Sequence, residues 1–336
     1  MRFPWLMNFN IMRYLVRMRL QGRTKFPIVL MLEPLHKCNL ACEGCGRILE
    51  YEETIDEYMS YEQCMKAVDE VDTPVVTVTG GEPLIHPQIV EILHGIVKRR
   101  KFINCCTNAL LLHRVVPKLK RTPFITFNVH IDGLEETHDR AVSRQGVFKK
   151  AIEGIKIAKA KGFRIVTNTT VFKYTPVQEL EDMCEYLTGV GVDGFLLAPA
   201  FKYTALDSPA AANCMDRGEI AEKFRTLDRL AKKYPLWSTP IYVDFLQGKR
   251  PGMECTPWGN PVVNPQGWKG PCYLITDAHY KSFQEMVDST RWQRYGVHSG
   301  DPRCTNCAMH CGFEPTVVMN SDFRDTLRLM KWNFFG

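Results

Sequence analysis

The chain has 336 residues, 45% of them hydrophobic and 24% charged, which is enough apolar material for one large core with a smaller appended unit. Its net charge of +6 is unevenly placed: residues 1–32 carry six basic side chains (Arg2, Arg13, Arg17, Arg19, Arg23 and Lys25) and no acidic one, so the remainder is close to neutral. This excludes a general nucleic-acid binder, whose basic residues spread over a face, and thirteen cysteines, eight of them at ligand-like spacings, point to metal rather than disulfides in a cytoplasmic protein.

Residues 1–26 read as a basic amphipathic helix. Trp5, Phe9, Met12, Val16 and Leu20 recur at helical spacing beside a polar stripe of Asn10, Arg13, Arg17 and Gln21. The arginines interrupt the apolar run, so a spanning helix is not expected, and no small-residue cleavage site marks a secretory signal. Two readings stay open: a helix lying in the inner-membrane interface, or one packed on the rest of the chain with its arginines in water.

Residues 27–235 alternate between β-rich apolar runs and amphipathic stretches. Strands are expected at 28–33, 75–79, 102–106, 124–131, 164–171 and 193–198, and helices at about 60–70, 87–99, 110–120, 147–161, 177–190 and 216–233. Ser60-x-x-Gln63 and Thr175-Pro176-Val177-Gln178 read as capping boxes; Pro87 suits a helix start and Gly162 a helix end. Six β-α units in series predict an α/β fold with a parallel sheet, as a partial (β/α)6 barrel of the TIM type.

In such barrels the chemistry gathers at the carboxyl ends of the strands. Strand one runs into Cys38, Cys42 and Cys45, at C-x3-C-x2-C. Three thiolates can hold three irons of a cubane 4Fe–4S cluster and leave the fourth open. A zinc knuckle or a disulfide is the alternative, but zinc usually closes with four ligands and three cysteines cannot all pair. Strand two ends in Gly80-Gly81-Glu82-Pro83, strand three in Cys105-Cys106-Thr107-Asn108, strand four in His130-Ile131-Asp132-Gly133, strand five in Thr167-Asn168-Thr169 and strand six in Ala198-Pro199. Residues without side chains let backbone approach a ligand, and carbonyls with Glu82 can accept bonds from an ammonium group.

The Cys38–Cys45 spacing with Gly80–Pro83 resembles the radical S-adenosylmethionine (SAM) superfamily. The resemblance implies that the amino and carboxylate groups of SAM fill the open iron, and that one electron from the cluster splits SAM into methionine and a 5′-deoxyadenosyl radical. It also implies that Gly80, Gly81, Glu82 and Pro83 contact the SAM amino group and that His130 reaches its ribose or methionine part, with Asn168 a further candidate for the pocket. For His130 the other reading is a satisfied barrel residue beside a plain Asp132-Gly133 turn.

Residues 236–336 depart from the alternation, with prolines and glycines crowding 251–271. Cys255, Cys272, Cys304, Cys307 and Cys311 resemble a SPASM or shortened "twitch" extension, which implies a second iron–sulfur cluster on four of the five. A structural zinc site or an unmetallated segment that closes the barrel are the alternatives.

Several stretches resemble one subgroup, the hopanoid-biosynthesis radical SAM proteins (the HpnH, or adenosylhopane synthase, group): residues 27–38, 106–112, Asp244-Phe245-Leu246, Cys255 to Pro261 and Pro271 to Leu274. That likeness implies a triterpene substrate, diploptene, whose terminal alkene accepts the adenosyl radical. Cys106 is then the hydrogen donor that quenches the adduct, while Cys105 points the opposite way as a structural residue. The basic helix would bring the barrel mouth to the bilayer where such a substrate resides. An electron donor such as flavodoxin or ferredoxin is implied, and the acidic loop Glu50–Glu57 offers it a docking place. A SPASM-type peptide or protein maturase, and a non-enzymatic iron–sulfur or zinc protein, remain alternatives.

Overall fold

The computed structural model describes residues 2–206 and 209–335. Six strands follow one another in parallel, β1 (Val29–Leu32), β2 (Val75–Val78), β3 (Phe102–Thr107), β4 (Ile125–His130), β5 (Arg164–Val171) and β6 (Phe195–Pro199), each paired with the next. The sheet then continues on the far side of β1 with β7 (Val262–Asn264), β8 (Gly267–Pro271) and β9 (Thr276–Tyr280), so its order is β6-β5-β4-β3-β2-β1-β7-β8-β9. β7 runs parallel to β1, and β8 and β9 are antiparallel. The six-unit half-barrel is as expected. The three added strands were not: β7 contributes only Val262-Val263-Asn264, too short for a period of two to show.

Residues of alternating sign build two faces. In β3, Ile103 and Cys105 enter the core between sheet and helices, while Asn104 and Cys106 face the barrel interior. Val76, Val78, Phe127 and Val129 do the same in neighbouring strands, packing under Ile92, Leu93 and Ile96 of the helix Ile89–Lys98 and Ile152 and Ile155 of the helix Val147–Ala160.

The Ser60 capping box forms. Ser60 Oγ accepts from the Gln63 amide at 3.3 Å and Gln63 Oε1 accepts from the Ser60 amide at 2.7 Å, opening the helix Tyr61–Val71. The second expected box does not, because Pro176 itself occupies the cap of Val177–Val190 and leaves Thr175 one position too early. The stretch 110–120 is only a short turn, Leu112–Val115, passing into Val116–Lys118 where Pro117 lacks an amide donor. The stretch 216–233 divides at Leu227 into Arg217–Thr226 and Asp228–Lys233.

The N-terminal helix, Trp5–Leu20, corrects one expectation outright. Met7, with Phe3, Leu6 and Ile11, packs on Val29, Val75, Phe102 and Phe124, at or just before the first residues of β1 to β4. Tyr14, Leu15 and Met18 pack on Phe26 and Ile28. The helix therefore closes the amino end of the barrel and stands opposite the mouth, which it cannot carry to a bilayer. Among the described residues no helix is long and apolar enough to cross a membrane.

Candidate active site

The loop after β1 carries Cys38, Cys42 and Cys45 and lies directly on Gly80-Gly81. The Gly81 amide donates to Leu35 O at 3.1 Å and the Glu82 amide to Lys37 O at 2.9 Å. A Cβ on Gly81 would stand 2.0 Å from Lys37 O, and one on Gly80, whose φ is +107°, would stand 2.4 Å from Leu35 O. Only glycine lets this loop settle there. Cys38 and Cys42 rest against Leu40, Leu110, Val142 and Val147. Burial pushes the Cys38 thiol up to about 11 and raises Cys42 further, with the neighbouring sulfurs adding to both. Thiols so placed become thiolates only against a compensating cation.

Glu82 is buried and its carboxylate is spent on protein donors: Oε1 accepts from Thr107 Oγ1 at 2.8 Å and the Leu84 amide at 3.0 Å, and Oε2 from the Asn108 amide at 2.8 Å. Burial lifts its pKa to about 7 against those three bonds. Asn108 in turn donates from Nδ2 to Asn39 Oδ1 at 2.7 Å. Glu82 thus ties the end of β3 to the cysteine loop.

A buried ionic group that the sequence reading missed braces the same loop. Arg47, two residues after Cys45, meets Glu33 at 2.6 Å with both side chains out of water. Its guanidinium lies 4.0 Å over the Tyr273 ring and its Nη1 donates to Glu50 at 2.9 Å and to the Tyr51 hydroxyl at 3.0 Å. Lys269, fully buried on β8, reaches the other Glu50 oxygen at 2.6 Å. Burial pushes Glu50 up, but Arg47 and Lys269 outweigh it and hold the carboxyl below its ordinary range. His36 stacks on Tyr51 with centroids 3.7 Å apart. This group joins the cysteine loop to the segment ending in Cys272. Nothing in spacing or periodicity marks it; Glu33 at a strand end was the one faint sign.

Inside the barrel the register sets Cys106 beside Asn128 and His130 beside Asn168. Asn128 Nδ2 lies 3.8 Å from Cys106 Sγ, and Thr79 also bonds that sulfur; burial lifts the thiol to about 11. Cys105 is fully buried in the core, as alternation requires. Asn128 Oδ1 and Asn168 Oδ1 are buried without a protein partner, an arrangement that a bound polar ligand would satisfy. His130 Nε2 meets Asp132 Oδ2 at 2.5 Å, and Asp132 also accepts from the Thr170 amide at 2.7 Å. Burial pulls the imidazole down, but the Asp132 carboxylate and its hydrogen bond raise it overall. The pair's contribution to stability is therefore complete below the ordinary histidine value of 6.5 and lost as pH rises through the higher folded value. A histidine C–H titration by NMR should place His130 above 6.5, and Asp132→Asn should bring it to 6.5 or below.

Among the described residues no disulfide is formed. Cys255, Cys272, Cys304 and Cys307 come from three chain segments into mutual electrostatic range, and Cys311 is within range of Cys272 and Cys307. Burial raises each, pushing Cys307 up to about 12, while backbone amides of Leu274 and Ile275 at Cys272, and of Met309 at Cys307, pull back. Cys311 packs on Met31 and Val262. Among the described residues no three His, Cys, Asp or Glu side chains converge as ligands of a single metal ion.

A cysteine loop seated on a glycine pair at the mouth of a six-unit half-barrel is the arrangement that the radical SAM resemblance implies, and the comparisons agree. A family model described as the radical SAM superfamily matches residues 32–187, and one described as a domain of unknown function (DUF3463) matches residues 195–330. The antilisterial bacteriocin subtilosin biosynthesis protein AlbA of Bacillus subtilis (strain 168) is 30% identical over 341 residues, covering 93% of this chain and 72% of AlbA. A GTP 3′,8-cyclase of Petrotoga mobilis is 33% identical over 156 residues, and the chain spans 47% of its length. The crystal structure of Streptococcus suis SuiB bound to precursor peptide SuiA superposes with a TM-score of 0.63 at 14% identity, over 87% of this chain and 69% of that one, a likeness of fold.

The chain belongs to the radical SAM superfamily, and its cofactors are a 4Fe–4S cluster and SAM. Three crowded thiols, a glycine cradle and two unpartnered amide oxygens fit that pair of groups. The comparisons support the superfamily and not the hopanoid subgroup. The triterpene partner is overturned: the relative matched along 93% of the chain is a bacteriocin biosynthesis protein.

Proposed function

We propose that the chain is a radical SAM maturase that modifies a peptide or protein. Identity to AlbA sustained over 93% of the chain, too long to leave out the cysteine-bearing extension, carries this reading. In it Cys38, Cys42 and Cys45 hold the cluster. The main chain of Gly80, Gly81, Glu82 and Pro83 receives the SAM ammonium, while the Glu82 carboxylate stays on its three donors and fixes Asn108 against the loop. His130 and the unpartnered Asn168 Oδ1 supply further polar contacts. When bound, cluster and SAM supply a carbon radical strong enough to take a hydrogen atom from an unactivated substrate carbon. The polar walls suit a peptide backbone, and the arrangement of Cys106 between Thr79 and Asn128 holds a weak S–H bond where a substrate radical can take its hydrogen.

In the extension Cys255, Cys272, Cys304 and Cys307 hold a second cluster, and Cys311 is the cysteine left to the core. Divisions at about residues 26 and 235 then separate the capping helix, the barrel and the extension.

The reconstituted, reduced enzyme should convert SAM to 5′-deoxyadenosine and, with a peptide substrate in D2O, give a product heavier by one deuterium on mass spectrometry, since one hydrogen atom leaves carbon for the adenosyl radical and one returns from the exchanged Cys106 thiol, which the reductant then restores with one electron and one proton. An adenosylated small molecule with every peptide unchanged sinks the reading. Cys106→Ala should keep 5′-deoxyadenosine formation but lower modified product about tenfold, equal to ~1.4 kcal/mol in barrier; an unchanged yield makes Cys106 a packing residue.

A further inference from the structure

The N-terminal helix has two apolar faces, and packing on the barrel explains only one of them. Met7, Tyr14, Leu15 and Met18 are buried, whereas Trp5, Phe9, Met12, Val16 and Leu20 stand 65%, 59%, 60%, 49% and 83% exposed. Those five recur along one stripe of the helix. The C-terminal helix, Phe323–Phe335, repeats the pattern with Phe323, Leu327, Met330 and Phe334 exposed. The two helices meet end to end, where Arg2 Nε donates to Trp332 O at 3.1 Å and the Phe3 amide to Asn333 Oδ1 at 3.0 Å. Large apolar side chains repeated in this way on a surface mark a contact.

Beside the exposed stripe the protein opens a cleft of about 580 Å³ between the N-terminal helix and the amino ends of β2, β3 and β4. Arg13 and Arg17 enter it from the helix, and Arg99, Arg100 and Lys101 from the turn before β3, with Asp72 the one acid in its wall. Arg17 and Lys101 share Asp72, and Asp69 grips Arg99 at 2.6 and 2.7 Å. Arg13 and Arg100 have no ion-pair partner among the described residues. Leu6 and Phe9 form part of the rim. Cations from two separate elements thus converge on an opening edged by apolar side chains.

We propose that this underside of the barrel docks on an anionic membrane surface, with the Trp5–Leu20 stripe entering the interface and the arginine cleft receiving phospholipid phosphates. The charge decides between occupants. A second copy of the chain, paired two-fold through this face, would set the cationic cleft against itself, whereas an anionic bilayer supplies phosphate and acyl chain together. Because the helix closes the amino end of the strands, the mouth with Cys38, Cys42 and Cys45 faces away from the bilayer and takes its substrate from water. This placement is independent of what that substrate is.

Full-length holoenzyme should co-sediment with vesicles of phosphatidylcholine containing roughly a third phosphatidylglycerol, and far less with phosphatidylcholine alone, the binding falling with added salt. Phe9→Glu with Met12→Glu, and separately Arg13→Glu with Arg100→Glu, should each weaken it about tenfold or more, since each basic residue near such a surface is worth about 1 kcal/mol. Both pairs are on exposed positions away from the mouth, so 5′-deoxyadenosine formation and the urea midpoint should not change. If a variant lowers that midpoint, the other pair carries the comparison. Equal binding to both vesicles, binding to neither, or insensitivity to the charge pair overturns the proposal. So does a dimer by light scattering that Phe9→Glu splits, which would make a second copy the occupant.

Discussion

Alanine at any one of Cys38, Cys42 or Cys45 should abolish 5′-deoxyadenosine formation while leaving the fold intact. Each thiol binds a different iron of one cubane, so loss of one opens a second iron and the cluster is lost. With the second 4Fe–4S cluster proposed for the extension still in place, iron per chain should fall from about eight to about four. The same iron measurement separates the extension's cysteines: Cys272→Ala should lose its cluster, and Cys311→Ala should keep it. Alanine at Cys38, Cys42 or Cys45 leaves the fold almost untouched, since that loop rests on Gly80-Gly81 through backbone bonds rather than through sulfur. An alanine variant at Cys38 that still cleaves SAM at the parent rate would remove the loop from the chemistry.

Arg47→Met should be the most destabilising change on the barrel's upper face, at about 3–5 kcal/mol. It keeps most of the side-chain volume but strands Glu33, which is fully buried 2.6 Å from the lost guanidinium. The cost should depend on pH. Burial pushes the Glu33 carboxyl above its ordinary 4.5, and without Arg47 the rise is larger. A carboxyl whose folded value is raised contributes stability that is present below 4.5 and lost as pH climbs through the folded value. The variant's urea midpoint should therefore lie close to the parent's near pH 4.5 and fall away from it toward pH 8 (roughly the span over which a buried carboxyl titrates). Adding Glu33→Leu should recover much of the loss, because a buried pair replaced as a unit costs far less than half a pair. Equal losses at both pH values, or no recovery in the double variant, would show that Arg47 acts through packing on Tyr273 instead. Glu50 and Lys269 share this network, so effects at those sites should not add to those at Arg47.

Much of the barrel could be read from the chain because its signals are local. A strand such as Val75–Val78 is a valine-rich run followed within three residues by two glycines, and Ser60 with Gln63 marks a helix start within four residues. The cysteine loop was legible for the same reason, since a cluster-binding spacing is compact in sequence. The sense in which Cys105 and Cys106 divide between core and interior followed from the period of a strand.

What escaped depends on contacts between distant segments. Lys269 is brought to Glu50, beside the Glu33–Arg47 pair, from more than two hundred residues away, and a buried ion pair leaves no periodic trace. Strands β7 to β9 are held by their neighbours rather than by propensity, with Gly267 and Pro271 among their residues. The N-terminal helix was recognised, but its exposed apolar stripe was the more regular one. Its buried side, Met7, Tyr14, Leu15 and Met18, reads as an irregular widening of that stripe until the strand ends beneath it are in view. The hopanoid likeness, read over about residues 1–315 from several marker stretches, is not supported by the comparisons, which show 30% identity to AlbA over 93% of the chain instead.

The central claim is tested most directly by anaerobic reconstitution with iron and sulfide, reduction, and incubation with SAM. The account predicts 5′-deoxyadenosine together with an electron paramagnetic signal that changes when SAM is added, both lost in Cys42→Ala. A parent protein that takes up iron yet yields no 5′-deoxyadenosine under reduction, with a signal indifferent to SAM, would contradict it.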